Sequence, residues 1–226
     1  LANKIHKKFN LDFPIFILNI GGIANITSTV NWNNLWHTEK IYAYDIGPGN
    51  CLIDDYVKIK TNLKFDKDGK IGFKGTPNKK ILKLLSNDNF FNLDPPKSVD
   101  RNFLKKTFNI ILKQNLQLSD AISTLSFFTI QCITNSLKFL PAYPKNIIVT
   151  GGGYKNKYLI HLLKESFKSN IYNNKDLNFD SDFVEAELIA YLSARSIYKF
   201  PITFPTTTGV KKNTCGGNLY YYKKPL

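Results

Sequence analysis

The sequence predicts an α/β domain with a mixed sheet flanked by helices. Two observations carry that expectation. Residues 13–44 read as a β-meander punctuated by glycine, and the rest of the chain alternates helix-period and strand-like segments. A third sets the scale: 226 residues, 43% of them apolar, are enough for a sizeable core.

Phe13 to Ile20 and Ala24 to Val30 read as two strands around Gly21-Gly22, and Trp36 to Tyr44 reads as a third. The apolar runs Phe16-Ile17-Leu18 and Ile41-Tyr42-Ala43-Tyr44 mark the first and third as buried. The third stops at Asp45-Ile46-Gly47-Pro48-Gly49-Asn50. Beyond it, Leu52, Ile53, Tyr56, Val57 and Ile59 have helical spacing, so 51–59 is a helix with Asn50 as its cap. Residues 62–78 are polar and contain glycine, a loop with Asp66-Lys67-Asp68-Gly69 as a turn. Ile81 to Leu85 is a short helix.

The proline loop Asp94 to Arg101 leads into a helix over about 101–113, with Phe103, Leu104, Phe108, Ile111 and Leu112 at helical spacing. Ser119 is read as the cap of a long helix to about Leu140. That helix is apolar nearly all round, which places it in a buried layer against the sheet. Asn146 to Thr150 is a strand running into Gly151-Gly152-Gly153. Asn156 to Lys168 is an amphipathic helix and Ile171-Tyr172 a short strand. Phe183 to Tyr198 is a further helix, apolar at Val184, Leu188, Tyr191, Leu192 and Ile197. Residues 201–226, rich in Thr, Gly and Pro, read as loop with a short terminal strand.

The net charge of +14 raises the question of nucleic acid. Only Arg101 and Arg195 are arginine, and the lysines are spread along the chain. Readers of nucleic acid rely on arginine for bidentate contacts, so solvated lysine faces are the better reading. There is no apolar run of membrane-spanning length and no signal-peptide pattern. Cys51, Cys132 and Cys215 are far apart, as are His6, His37 and His161, and none has metal-ligand spacing. The thiols are expected to stay reduced, as in a cytosolic protein. The chain starts at Leu1 and contains no methionine, which reads as a fragment or a processed piece.

The two early glycine turns are the most informative chemistry. Gly21-Gly22 with Asn25 either presents N–H groups to a phosphate or forms a plain hairpin turn. Asp45, at a strand end before Gly47-Pro48-Gly49, is a candidate general base; the bland alternative is a turn-forming Asp. Gly151-Gly152-Gly153 between strand and helix is either a tight turn or a ligand-facing one. It lacks the dinucleotide fingerprint, and no P-loop pattern exists. Glu185 and Glu187 lie two residues apart on one helix, so on different faces; one of them could be a second acid, or both are solvated. Together these features point to phosphoryl transfer or hydrolysis at the mouth of a sheet.

Six segments then occur in a specific order: Asn19-Ile-Gly-Gly-Ile-Ala-Asn-Ile-Thr27, Tyr44-Asp-Ile-Gly-Pro-Gly-Asn50, Pro96-Lys-Ser98 with Arg101, Val149-Thr-Gly-Gly-Gly-Tyr-Lys-Asn156, Glu185-Ala186 with Ala190-Tyr-Leu192, and Thr207-Thr-Gly209. In this the chain resembles the anhydro-N-acetylmuramic acid kinases over essentially its whole length. The resemblance implies the actin/Hsp70/sugar-kinase (ribonuclease H-like) fold, with this chain as the second of two family domains. It implies residues 1–12 as the end of the first domain and 13–226 as the C-terminal kinase domain. It also implies ATP, with Mg2+, phosphorylating O6 of 1,6-anhydro-N-acetylmuramic acid while water opens the anhydro bridge. This would be a step of cell-wall sugar recycling in the bacterial cytoplasm.

Site roles follow from the same resemblance. Asp45 is implied as the base that activates water, and Glu185 as a residue that orients sugar or water. Gly21, Gly22 and Asn25 are implied as a phosphate-facing turn, and Gly151, Gly152, Gly153 and Asn156 as the adenosine-facing one. Asp45, Gly47 and Asn50 are expected at the sugar. Family members begin with a Gly-Thr-Ser-x-Asp-Gly loop for the ATP phosphates, and nothing here matches it. The expected partners are therefore the missing N-terminal domain and a second copy in a homodimer, with neither nucleic acid nor membrane. The alternative is a catalytically dead remnant that keeps the fold and sugar binding.

Overall fold

Side-chain alternation along β1 (Ile15–Ile20) explains why it is central. Phe16, Leu18 and Ile20 join one apolar cluster, while Ile15 and Ile17 join another on the opposite face. The computed structural model describes residues 2–30, 41–173, 175–177 and 184–220. In it, β2 (Ile23–Thr29) returns antiparallel to β1, and β3 (Ile41–Pro48) runs antiparallel to β2. On the other side, β4 (Asn146–Thr150) lies parallel to β1, and β5 (Asn170–Asn173) parallel to β4. The order is β3-β2-β1-β4-β5. An antiparallel meander continued by parallel strands makes this the mixed, helix-flanked sheet that the sequence predicts.

One face of this sheet is covered by helices. α2 (Cys51–Lys60), α5 (Leu118–Ser136) and α6 (Lys157–Ser166) bring Leu52, Ile53, Ile122, Leu125, Phe128, Leu159 and Leu163 against Leu18, Ile26, Ile46 and Val149. α3 (Lys79–Leu85) and α4 (Arg101–Leu112) pack outside that layer. On the second face, α1 (Ala2–Phe9) buries Ile5 against Ile15, Ile148 and Leu177. At β2 and β3 the described residues place only the short 205–208 segment against this face, beside β3.

Several boundaries differ from the sequence reading, each for a physical reason. The expected strand from Trp36 falls partly at 36–40, outside the described residues. At its other end β3 continues through Asp45 to Pro48, because β2 keeps pairing with it. Ser119 is not the cap of α5: Gln117 holds that position, with no side-chain hydrogen bond. α5 ends at Ser136, and a 3-10 turn over Leu137–Phe139 replaces its last expected turn. Nor does the Asn50 side chain cap α2. The 62–78 segment is organised by Asp66, a buried carboxylate that accepts from the N–H groups of Ile71 (2.8 Å) and Gly72 (3.0 Å).

Helix α7 (Val184–Ile197) exposes Leu188, Ile189, Tyr191 and Ile197. Those four apolar side chains are thus not packed into the sheet core. After it come α8 (Pro205–Thr208) and, among the described residues, a bridge between Thr203 and Thr214; residues 221–226, part of the expected terminal loop and strand, lie outside the described residues. Arg195 ties these together. Its guanidinium donates to the Pro201 carbonyl (2.6 Å) and the Tyr191 hydroxyl (2.9 Å), and it lies against Phe200 and Phe204.

Candidate active site

Three glycine turns meet at one end of the sheet. The β1–β2 hairpin (Gly21-Gly22) is bonded to the β3–α2 turn: Gly49 N–H donates to the Gly22 carbonyl (2.9 Å) and Asn50 N–H to the Gly21 carbonyl (2.8 Å). The Asn50 amide adds donations to the carbonyls of Ile20 (3.2 Å) and Gly21 (3.3 Å). That is why it does not cap α2: a tertiary pair of carbonyls holds its side chain. The third turn, Gly151-Gly152-Gly153, comes against Asn19 and Ile20 of β1.

The glycines of these turns fall into two groups. A Cβ on Gly49 would run into the Gly21 carbonyl, one on Gly151 into Asn19, and one on Gly153 would sit 2.5 Å from Ile20 Cγ2. Gly151 also has φ +76°, a region that side chains disfavour. At Gly47 a Cβ would sit 3.1 Å from Cys132 of α5. These four are needed by the chain's own packing. Gly21, Gly22 and Gly152 are not: the nearest atoms to their Cβ positions lie at 3.5, 3.8 and 3.9 Å. The N–H groups of Gly21 and Gly22 donate no hydrogen bond among the described residues. What these three share is open backbone at the mouth of the sheet.

Asn156 is placed differently. It is buried, and its Oδ1 caps α6 by accepting from Tyr158 N–H (3.0 Å) and Leu159 N–H (3.2 Å). Cys51 sits beside Gly22, but burial pushes its thiol up to about 11, so it stays protonated.

Asp45 lies on the face of β3 opposite Tyr44 and Ile46, and a register shift in the β2–β3 ladder stands next to it: Asn25 pairs with Asp45 while Ala24 pairs with Gly47. Such bulges re-aim neighbouring side chains. Asp45 lines a cleft of about 300 Å³ together with Asn25, Thr27, Pro96, Ser98 and Thr207. Its backbone N–H donates to the Lys97 carbonyl (2.9 Å), and its Oδ2 accepts from Val99 N–H (2.9 Å). Oδ1 takes no hydrogen bond among the described residues. One oxygen is therefore fixed and the other is available in the cleft. The Thr207 hydroxyl is engaged locally, donating to the Phe204 carbonyl at the start of α8.

Of the expected site residues, the structure joins Asn25 and Asp45 in one cleft. It joins Gly21, Gly22, Asn50 and Gly151–Gly153 in the turn cluster a few residues away. Glu185 stands in the first turn of α7, but its side chain lies outside the described residues. Glu187 is exposed. The residues that sequence reasoning passed over are Lys97 and Val99, which act on Asp45 through backbone groups. Their motif signal was Pro96-Lys97-Ser98; nothing local announced the pairing to β3.

The family model for anhydro-N-acetylmuramic acid kinase matches residues 8–222. The chain belongs to that family of sugar kinases. Its relatives include the anhydro-N-acetylmuramic acid kinases of Zymomonas mobilis, 39% identical over 92% of this chain and 54% of that protein, and of Pelagibacter ubique, 39% identical over 96% and 56%. The chain thus spans about half the length of these curated relatives. Among solved structures, the activator of the 2-hydroxyisocaproyl-CoA dehydratase from Clostridium difficile with bound ADPNP aligns over 72% of this chain and 55% of that one. Its TM-score is 0.48 at 13% identity.

Proposed function

We propose that this chain carries the water-activating half of an ATP-dependent kinase acting on 1,6-anhydro-N-acetylmuramic acid. The observation that carries this reading is the Asp45 carboxylate, fixed through Oδ2 by Val99 and open at Oδ1 in a cleft between β2, β3, the 96–98 loop and α8. In the proposed reaction Asp45 takes a proton from water. That water attacks the anomeric carbon, the C1–O6 bond breaks, and O6 receives the γ-phosphoryl group. The products are N-acetylmuramic acid 6-phosphate and ADP. This is the logic of an inverting glycosidase, with phosphoryl transfer to the leaving oxygen in place of protonation by a side-chain acid.

The open backbone at Gly21, Gly22 and Gly152 fits a nucleotide. Approach of phosphate oxygens needs N–H groups without side chains in the way, and these glycines have no other packing reason to lack one. Among the described residues no three His, Cys, Asp or Glu side chains stand together as a metal cage. Mg2+ in such a site is held mostly through nucleotide phosphates, with water and one or two carboxylates, so this suits metal entering with ATP. The chain's own part is positioning and charge stabilisation. In the proposed enzyme the phosphate loop comes from the part of the family protein that this chain does not span, and the working form is a homodimer.

The test is to join this chain to the N-terminal half of a family member. The assembly is expected to release ADP only with the anhydro sugar, and mass spectrometry should find N-acetylmuramic acid 6-phosphate. Sugar binding without turnover would favour a dead remnant instead. Phosphorylation with the anhydro ring left intact would remove Asp45 from the role of base.

A further inference from the structure

Besides its place in the β2–β3 ladder, Asp45 is bonded to the segment 97–99 through both its N–H and its carboxylate, so what holds that segment matters. Lys97 lines the Asp45 cleft, and its ammonium has partners among aromatic rings. Its Nζ sits 4.7 Å from the centre of the Phe90 ring and 4.4 Å from that of Phe139, and it donates to the Phe90 carbonyl at 3.0 Å. Phe90 is itself buried and packed at 4.9 Å against Phe103 and at 5.5 Å against Phe91. Phe91 in turn meets Phe128 of α5 at 5.9 Å. The ammonium is therefore anchored to the rigid layer beneath the sheet.

A cation between two aromatic faces is bound more firmly where water is excluded. Burial here lowers the Lys97 pKa to about 8, with Lys138 nearby adding to the effect. The side chain points into this aromatic pair while the carbonyl of the same residue meets Asp45 N–H.

We propose that Lys97 is a positioning residue for Asp45: clamped between Phe90 and Phe139, it fixes the backbone of 97–99 that aims the carboxylate. The proposal rests on the reading of Asp45 as the base. It assigns Lys97 no contact with sugar or nucleotide. Loss of the clamp should leave substrate binding intact and disorder only the aim of the base, because misplacement by about 1 Å can cost on the order of a hundredfold in rate.

Two measurements on Lys97→Met, Lys97→Arg, Phe139→Leu and the control Lys138→Met test this. The first is amide hydrogen exchange on the chain itself. In Lys97→Met and Phe139→Leu the amides of Asp45 and Val99 should exchange at least tenfold faster, with those of β1 unchanged; Lys97→Arg and Lys138→Met should match wild type. The second is steady-state kinetics on the assembled kinase. Lys97→Met should lose at least tenfold in kcat with KM within threefold, and Lys97→Arg should recover most of it. Unchanged exchange at Asp45 and Val99 in both disrupting variants overturns the proposal, as does a rise in KM at constant kcat. If the wild-type assembly does not turn over, the kinase reading fails, and the exchange arm still decides whether Lys97 holds the segment.

Discussion

Replacing Asp45 by Asn separates the chemistry of this residue from its structural part. Asn keeps an oxygen that can accept from Val99 N–H, and the backbone bond from residue 45 to the Lys97 carbonyl does not involve the side chain. What is lost structurally is the charge on one acceptor. A hydrogen bond to a charged group contributes about 1.5–3 kcal/mol and a neutral one about 0.5–1.5, so stability should fall by about 1 kcal/mol. For a chain of this size that lowers the melting midpoint by about 2–4 °C. What is lost chemically is larger. A positioned general base supplies roughly 10²- to 10⁴-fold, equivalent to about 3–5 kcal/mol of barrier. The assay is sugar-dependent ADP release by the assembled kinase, alongside a nucleotide titration. The expected result is a kcat at least a hundredfold lower, unchanged nucleotide affinity, and a small thermal shift. Turnover within threefold of wild type would refute the reasoning, because no other described carboxylate lines the cleft. A collapse of the fold would refute the claim that only the charge is missing.

Three further outcomes follow from the same geometry. Gly153→Ala places a methyl 2.5 Å from Ile20 Cγ2 and should cost about 1–3 kcal/mol in a denaturant melt, while Gly152→Ala, with nothing nearer than 3.9 Å, should melt like wild type and bind nucleotide at least tenfold more weakly. Asn156→Ala removes the side-chain cap of α6 and should cost about 1 kcal/mol; an unchanged melt with weakened nucleotide binding would show that the amide serves the ligand instead. Asp54 has its pKa raised from 3.8 to about 6, first by burial and then by nearby Asp55 and Asp66 against the opposing pull of Lys58. The folded state therefore holds this proton more tightly, so its contribution to stability is full below pH about 4 and is lost as pH rises towards 6. Asp54→Asn should melt higher than wild type at pH 7 and equally at pH 3.5; a gain at pH 3.5 alone would contradict the sign.

The fold was legible where the pattern is local. The period-2 alternation of Phe16, Leu18 and Ile20 against Ile15 and Ile17 marks a strand buried on both faces, and the structure puts it in the middle of the sheet. The unbroken apolar surface of the 118–136 helix likewise predicts the most buried helix of the fold. Tertiary partners were illegible. Asn50 has the composition of a cap, but two carbonyls thirty or so residues upstream claim its amide. The proline loop at 96–99 shows no strand pattern, yet it closes the edge of β3, fifty-four positions away in sequence at the Asp45–Val99 bond. In α7 the apolar spacing says that a face is to be covered and is silent on what covers it.

Glycine shows most clearly why sequence stops where it does. In the sequence, the glycines of the three turns look alike, and each has two possible causes: the chain needs the space, or something outside it does. Only the positions of neighbouring atoms separate the two. At Gly49, Gly151 and Gly153 the missing Cβ is required by the turns' contact with one another, so these glycines build the mouth of the sheet. At Gly21, Gly22 and Gly152 the protein itself has no use for the absence. Under the proposed kinase reading, this bare backbone, lying where three strand ends meet and beside a cleft holding a half-free carboxylate, is where a phosphate-bearing ligand would approach. On that reading the glycines divide into two sets, one shaping the turns and one whose backbone faces the ligand.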